Sequence, residues 1–180
     1  MTIDPNERKL AELILYISQK YANDPYFGVV KLNKAIYFPD FTAYASWGET
    51  ITNAEYQHLP EGPAVFRMLP VLDALQSEGA LVIQHVNFYG LKQKRTVNLR
   101  PPNLSYFNGR EIAVVDGWLE TLRPLNGTQI SRLSHETAGW KLTSNCEKID
   151  PKSGFIGWRE PNAAETRRGQ ELALKFSLLA

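Results

Sequence analysis

Three histidines, His58, His85 and His135, lie scattered along the chain with none of the i, i+4 or short-loop spacings that gather zinc ligands. No metal site is expected from them. The sole cysteine, Cys146, has no nucleophile signature around it and reads as an ordinary small residue. Ser134-His135-Glu136 spells a hydrolase triad consecutively, but neighbours on a helix point about 100° apart and cannot hydrogen-bond as one unit. The chain has no G-x-x-x-x-G-K-S/T, G-x-G-x-x-G or G-x-S-x-G, so phosphate cradles and a nucleophile elbow lack their residues. Neither a catalytic residue nor a cofactor is expected.

Other polar groups carry two readings each. Asn33, Tyr37, Asp40 and Tyr44, spaced 4, 3 and 4, fall on one helical face. They form a polar groove, where a buried carboxylate beside hydroxyls is a shifted acid or base, or an internal pairing in which Asp40 satisfies buried tyrosine hydroxyls. The acid-free run Lys92, Lys94, Arg95, Arg100 grips phosphates or an acidic partner, or else decorates an exposed strand and discourages edge aggregation. Trp140 and Trp158, with Tyr106 and Phe107, are interface anchors or caps over a small core.

Positioning such groups falls to a chain of 180 residues, enough for one domain with a real core. Its composition, 43% hydrophobic and 22% charged, is that of an ordinary globular protein. No apolar run is long enough to span a bilayer, and the polar start over 1–9 is no signal peptide. A single cysteine excludes an internal disulfide framework and suits a reducing compartment, so a cytoplasmic location is expected. Residues 1–90 carry 6 Lys/Arg against 10 Asp/Glu, a net −4, whereas residues 91–180 carry 14 against 9, a net +5. Such polarity steers a charged partner or pairs two copies head to tail, leaving a homodimer open. The basic excess falls short of a dedicated DNA-binding domain, so nucleic acid is not the expected partner.

Asp4-Pro5-Asn6-Glu7 combines an N-cap acceptor, a first-turn proline and a glutamate placed for a capping box. Leu10, Leu13, Ile14, Ile17 and Tyr21 follow at helical spacing, predicting a helix over 5–22 that Asn23-Asp24-Pro25 breaks. A second helix over 30–47 is apolar almost all round, the mark of a central, buried element. Gly48 sits at its left-handed C-cap, and Pro39 within it should kink it. Thr52 or Asn53 caps a short turn holding Glu55 and Tyr56, and Pro60-Glu61-Gly62-Pro63 is a rigid loop before a third helix over 64–77, bent at Pro70. Strand-like alternation over 80–87 and 93–99 predicts a hairpin through Phe88-Tyr89-Gly90-Leu91. A helix over 110–122, a short one over 128–134 capped by Thr128, and a loop-rich stretch over 136–161 follow. Asn162 to Glu165 repeat the capping-box logic. The expected fold is α+β and predominantly helical, five to six helices around a buried central helix with a small antiparallel β-hairpin near 80–100. Residues 1–161 form the domain, and 162–180 form a C-terminal helix packed on it or used in partner contact.

K-L-N-K-A-I-Y-F-P-D-F at 31–41 resembles the opening of the Panacea (SocA-like) domain, a lysine–leucine pair before an aliphatic-Tyr-Phe-x-Asp/His core. I-T-N-A-E-Y at 51–56 resembles its "I-T-x-x-x-Y/F" element, E-G-P-A-V at 61–65 its "x-G-P-V" turn, and L-S-H-E-T-A-G-W at 133–140 its Ser/Thr-His-x-x-x-x-Trp segment. The four elements span roughly 29–141 in the right order; Asn33, Pro39 and the extra C-terminal helix depart from the pattern. The resemblance, to the phage-associated type of the family, implies a helical domain with a small β element and no enzyme activity. It further implies an antitoxin of a type II-like pair, with a role in phage defence, that neutralises a protein toxin encoded by the adjacent gene through direct binding. The alternatives are an adaptor that delivers the toxin for degradation and an enzyme that reverses the toxin's modification through Asp40, Glu55 or His135. Carried residue by residue, the family patch is Lys31, Tyr37, Asp40, Glu55, Tyr56, Gly62, Pro63, His135 and Trp140, of which Gly62-Pro63 sets a turn and Trp140 packs. Exposed members among Trp47, Tyr56, Tyr89, Trp140 and Trp158 are the expected interface anchors.

Overall fold

Helical spacing of Leu10, Leu13, Ile14 and Ile17 gives α1 (Arg8–Lys20) one apolar face, and all four are buried in the core. The computed structural model describes residues 3–88, 90–156, 163–164, 167–168 and 170–171. A 3-10 turn, Pro5–Glu7, leads into α1, with the Asp4 side chain accepting from the Asn6 amide. The capping box expected there does not close, because the Glu7 carboxylate pairs with Arg67 instead.

α2 (Val29–Trp47) is the central helix, buried almost continuously from Lys31 to Phe41. It touches α1, α4 (Gly109–Leu122), α5 (Gly127–His135), β2 (Gly62–Val65), β4 (Leu91–Asn98) and a 3-10 segment at Pro151–Phe155. It runs through Pro39 and ends at Gly48, whose φ of 84° is the left-handed cap that a side chain would strain. Phe38 stacks on Trp118 of α4 (Gly109–Leu122) at 4.5 Å.

The region after α2 departs from expectation. Instead of a loop entering a helix at residue 64, β1 (Tyr56–Leu59) and β2 (Gly62–Val65) form an antiparallel hairpin. β5 (Lys148–Ile149) adds to β1, giving the order β2-β1-β5. Neither strand alternates, since β2 is buried throughout and only Tyr56 of β1 is fully buried, so the period-2 signal is missing. α3 begins only at Met68 and runs to Ser77, so Pro70 falls in its first turn, where the missing N–H breaks no helical bond. The expected bend at Pro70 therefore has no cause.

The second hairpin lies where the alternation puts it, as β3 (Leu81–Phe88) and β4 (Leu91–Asn98). α5 (Gly127–His135) is capped two residues earlier than expected, by an Asn126–Gln129 capping box rather than by Thr128. The stretch read as loop contains α6 (Ala138–Lys141), β5 and the Pro151–Phe155 turn. Residues 163–164, 167–168 and 170–171 are helical; the rest of the expected C-terminal helix, with Trp158 and Tyr89, lies outside the described residues. The fold is α+β and predominantly helical, with six α-helices and small antiparallel sheets among the described residues. No helix among them is long and apolar enough to cross a membrane.

Candidate functional site

The nine patch residues separate into three places and one outlier. Tyr37, Asp40 and Tyr56 meet in the core. Asp40 is wholly buried, and its Oδ1 accepts from the amides of Ile51 (2.9 Å) and Thr52 (3.0 Å). Its Oδ2 accepts from the Tyr56 hydroxyl at 2.6 Å and from the Thr52 hydroxyl. Four donors thus converge on one carboxylate, which ties the chain leaving α2 and the start of β1 back to the helix. Burial raises the Asp40 pKa to about 6 against the opposing pull of these hydrogen bonds. Desolvation, followed by the neighbouring Asp40 charge, pushes the Tyr56 hydroxyl well up. Tyr37 donates to Thr137 Oγ1 (3.0 Å), and its ring meets Tyr56 edge-on at 5.5 Å; burial pushes its hydroxyl up to about 12. Tyr56, at 1% exposure, is too buried to anchor an interface.

Gly62, Pro63, His135 and Trp140 gather where α5 and α6 cover the β1–β2 turn. Gly62 has φ 98°, and a Cβ there would stand 2.2 Å from Ser134 Oγ, so both conformation and space require glycine. Trp140 donates its indole N–H to the Leu59 carbonyl (3.1 Å), and the imidazoles of His58 and His135 stack on the indole at 4.4 and 4.0 Å. Desolvation, then the Lys34 charge, holds His135 below its ordinary value. Beneath the turn lies Lys34, which the sequence reading passed over. It is 1% exposed and donates to the Pro63 carbonyl at 2.9 Å; burial pushes its amine down to about 7. The available signal was that Lys31, Asn33 and Lys34 are polar residues in the first turns of a helix whose next five residues, 35–39, carry no charge.

Lys31 makes the third place. Its amine sits 2.7 Å from Asp24 Oδ2 and donates to the carbonyls of Arg123 and Leu125, just past α4, at 2.9 and 2.8 Å. Burial lowers its pKa despite Asp24. The outlier is Glu55, exposed and paired with Lys148.

The remaining candidates resolve in the same way. In the Asn33–Tyr44 stripe, Asn33 accepts from the Val65 amide and donates to the Val29 carbonyl, while Tyr44 meets the Phe155 ring, so the stripe is internal pairing rather than a groove. Ser134, His135 and Glu136 point to Ser131, Trp140 and Lys141 respectively. The basic run divides: Arg100 donates to the Glu12 carboxylate from Nη2 and Nη1 (2.6 and 2.9 Å), Arg95 donates to the Ala22 carbonyl, and Lys92 and Lys94 are exposed. Trp47 is half-buried beneath Arg110, 4.0 Å away. No cluster of three or more His, Cys, Asp or Glu able to hold a metal occurs among the described residues.

A family model described as "Antitoxin SocA-like, Panacea domain" matches residues 32–141, more than half of the chain. The chain belongs to the SocA-like Panacea antitoxin family. No curated protein and no solved structure matches it. The matched Panacea stretch opens inside α2 and closes at the last residue of α6, so it contains the Asp40 hub and the turn held by Lys34. α1, β5 and the Pro151–Phe155 turn lie outside it yet pack against it, and Lys31 precedes it by one residue.

Proposed function

We propose that this chain neutralises a protein toxin encoded beside it by binding that toxin directly. The observation that carries this reading is the match of residues 32–141 to the SocA-like Panacea antitoxin domain. What the motif residues do inside the fold supports it. Asp40 and Lys31 bind backbone, Tyr56 binds Asp40, Tyr37 binds Thr137, and Gly62-Pro63 open β2 where Lys34 holds the Pro63 carbonyl. Residues spent on holding a scaffold leave its exposed side chains free to suit a particular partner.

The acid–base candidates favour binding over chemistry. Asp40 is enclosed by four donors, Glu55 pairs with Lys148 on the surface, and His135 stacks on Trp140, so the three face different surroundings. An interface of ordinary size would bury roughly 1,600 Å² in all. Co-expression of this chain with the adjacent gene, scored for growth rescue and then for co-purification, tests the reading. Rescue with a stable complex is expected. Rescue without a complex overturns direct binding in favour of targeted degradation or reversal of a modification, and failure of rescue overturns the antitoxin assignment itself.

A further inference from the structure

Where α2 begins beside β4, the surface is concave. The groove holds about 620 Å³, within the range of sites that enclose a few side chains rather than a domain, and Tyr26, Val29, Val30, Lys92, Lys94 and Thr128 are among its walls. Gly28 lets its two sides close up: a Cβ there would lie 2.8 Å from Gln93 Cγ and 3.3 Å from the Lys94 carbonyl oxygen.

The groove is electrically one-sided. No aspartate or glutamate lines it. Lys92 and Lys94 are exposed, stand two apart on β4 so that they leave the same face, and have no ion-pair partner among the described residues. The first turns of α2 and α5 carry no acidic residue, so their amides add to the lysine charge without offset. Lys31, at the groove floor, is already matched by Asp24. Tyr26, 38% exposed, and the partly exposed Val29 and Val30 supply apolar wall between these charges.

We propose that this groove receives an acidic segment of the partner protein, with carboxylates on Lys92 and Lys94 and an apolar side chain against Tyr26 and Val29. The proposal rests on the direct-binding reading above and names the surface it uses. A second copy of the chain is the rival occupant, because residues 1–90 are net acidic. Most of those acids are already engaged: Glu7 by Arg67, Glu12 by Arg100, Asp24 by Lys31, Glu55 by Lys148 and Glu78 by Arg8, with Asp40 buried. The acids of that half outside any ion pair among the described residues, Asp4, Glu49, Glu61 and Asp73, are scattered over separate parts of the fold, so a second copy offers no acidic segment, which favours a different protein.

The test compares wild type with Lys92→Glu/Lys94→Glu, and with Arg132→Glu/Lys152→Glu as a charge-matched control on exposed sites elsewhere. Each is titrated against the purified adjacent-gene product at about 50 and 300 mM salt, with thermal melts to confirm folding. The Lys92/Lys94 variant should bind about 30-fold more weakly at low salt and lose most of the salt dependence, while the control changes little. Equal affinity of wild type and the Lys92/Lys94 variant overturns the groove and leaves direct binding standing. Wild type that forms no complex overturns both. Self-association of the chain alone, abolished by Lys92→Glu/Lys94→Glu, shows that the groove holds a second copy and overturns the acidic-partner assignment.

Discussion

Asp40 and Lys34 are charged residues placed inside a helix that has almost no wet face, and each is kept there by backbone it holds in place. Replacing Asp40 with alanine strands the Ile51 and Thr52 amides and two hydroxyls in the core. Asp40→Ala should cost about 3 kcal/mol in urea unfolding, and Asp40→Asn somewhat less. Toxin protection should fall in step with stability across the two variants; protection lost by a variant of unchanged stability would make Asp40 a chemical group instead. Lys34 carries a pH signature. Its folded pKa is depressed to about 7 from an ordinary 10.5, so between those values the unfolded chain binds more protons and stability rises with pH. Below about pH 7 both states are protonated and the full cost of burying the ammonium applies. Lys34→Met should show a smaller rise in denaturation midpoint between about pH 7 and 10 than wild type; Lys31, lowered in the same direction, retains its own share.

At the scale of elements, α6 is four residues long and owes its position to packing rather than to helix propensity. Gly139 lets it in: a Cβ would lie 2.6 Å from Ser153 Oγ, 2.7 Å from Ile149 Cγ2 and 3.2 Å from the Tyr37 hydroxyl. Gly139→Ala should therefore destabilise by about 2 kcal/mol in thermal or urea melts. Gly117, mid-helix in α4 with nothing within 4 Å of its would-be Cβ, sets the opposite expectation. Gly117→Ala should stabilise by about 1 kcal/mol, because alanine surrenders less backbone freedom on folding. The pair separates tight packing from intrinsic propensity in one protein. The β1–β2 hairpin shows the same dominance of packing, since its turn is set by Lys34, Ser134 and Trp140 from helices distant in sequence.

For the whole molecule, the folding unit is wider than the family match. Leu10, Leu13, Ile14 and Ile17 of α1 and Ile149 of β5 are core residues, and among the described residues the core runs from Ile3 to Ile149. A chain cut to 32–141 should lack cooperative unfolding by calorimetry and far-UV dichroism, having lost one wall of its core.

Much of this was legible in residue order. The amphipathic period of α1, the all-round apolar character of α2, the Gly48 cap and the alternation of β3 and β4 each follow from local physics repeated over enough residues to be read. The four motif elements at 31–41, 51–56, 61–65 and 133–140 were together sufficient to suggest the family. The roles of the motif residues were legible only in part: pairing of Asp40 with a buried tyrosine hydroxyl was one of two readings of the sequence, whereas Lys31 and Lys34 are explained only by carbonyls brought from 29 to 94 positions away. The strands at Tyr56–Leu59 and Gly62–Val65, four residues each, carry too little periodicity to announce themselves, and Pro70 reads as a kink until the true start of α3 places it in the first turn. Local pattern determined the long elements and the buried identity of α2. Tertiary structure alone decided which charges are buried and what they hold, since desolvation and hydrogen-bond partnership depend on what surrounds a residue in space rather than on its neighbours in the chain.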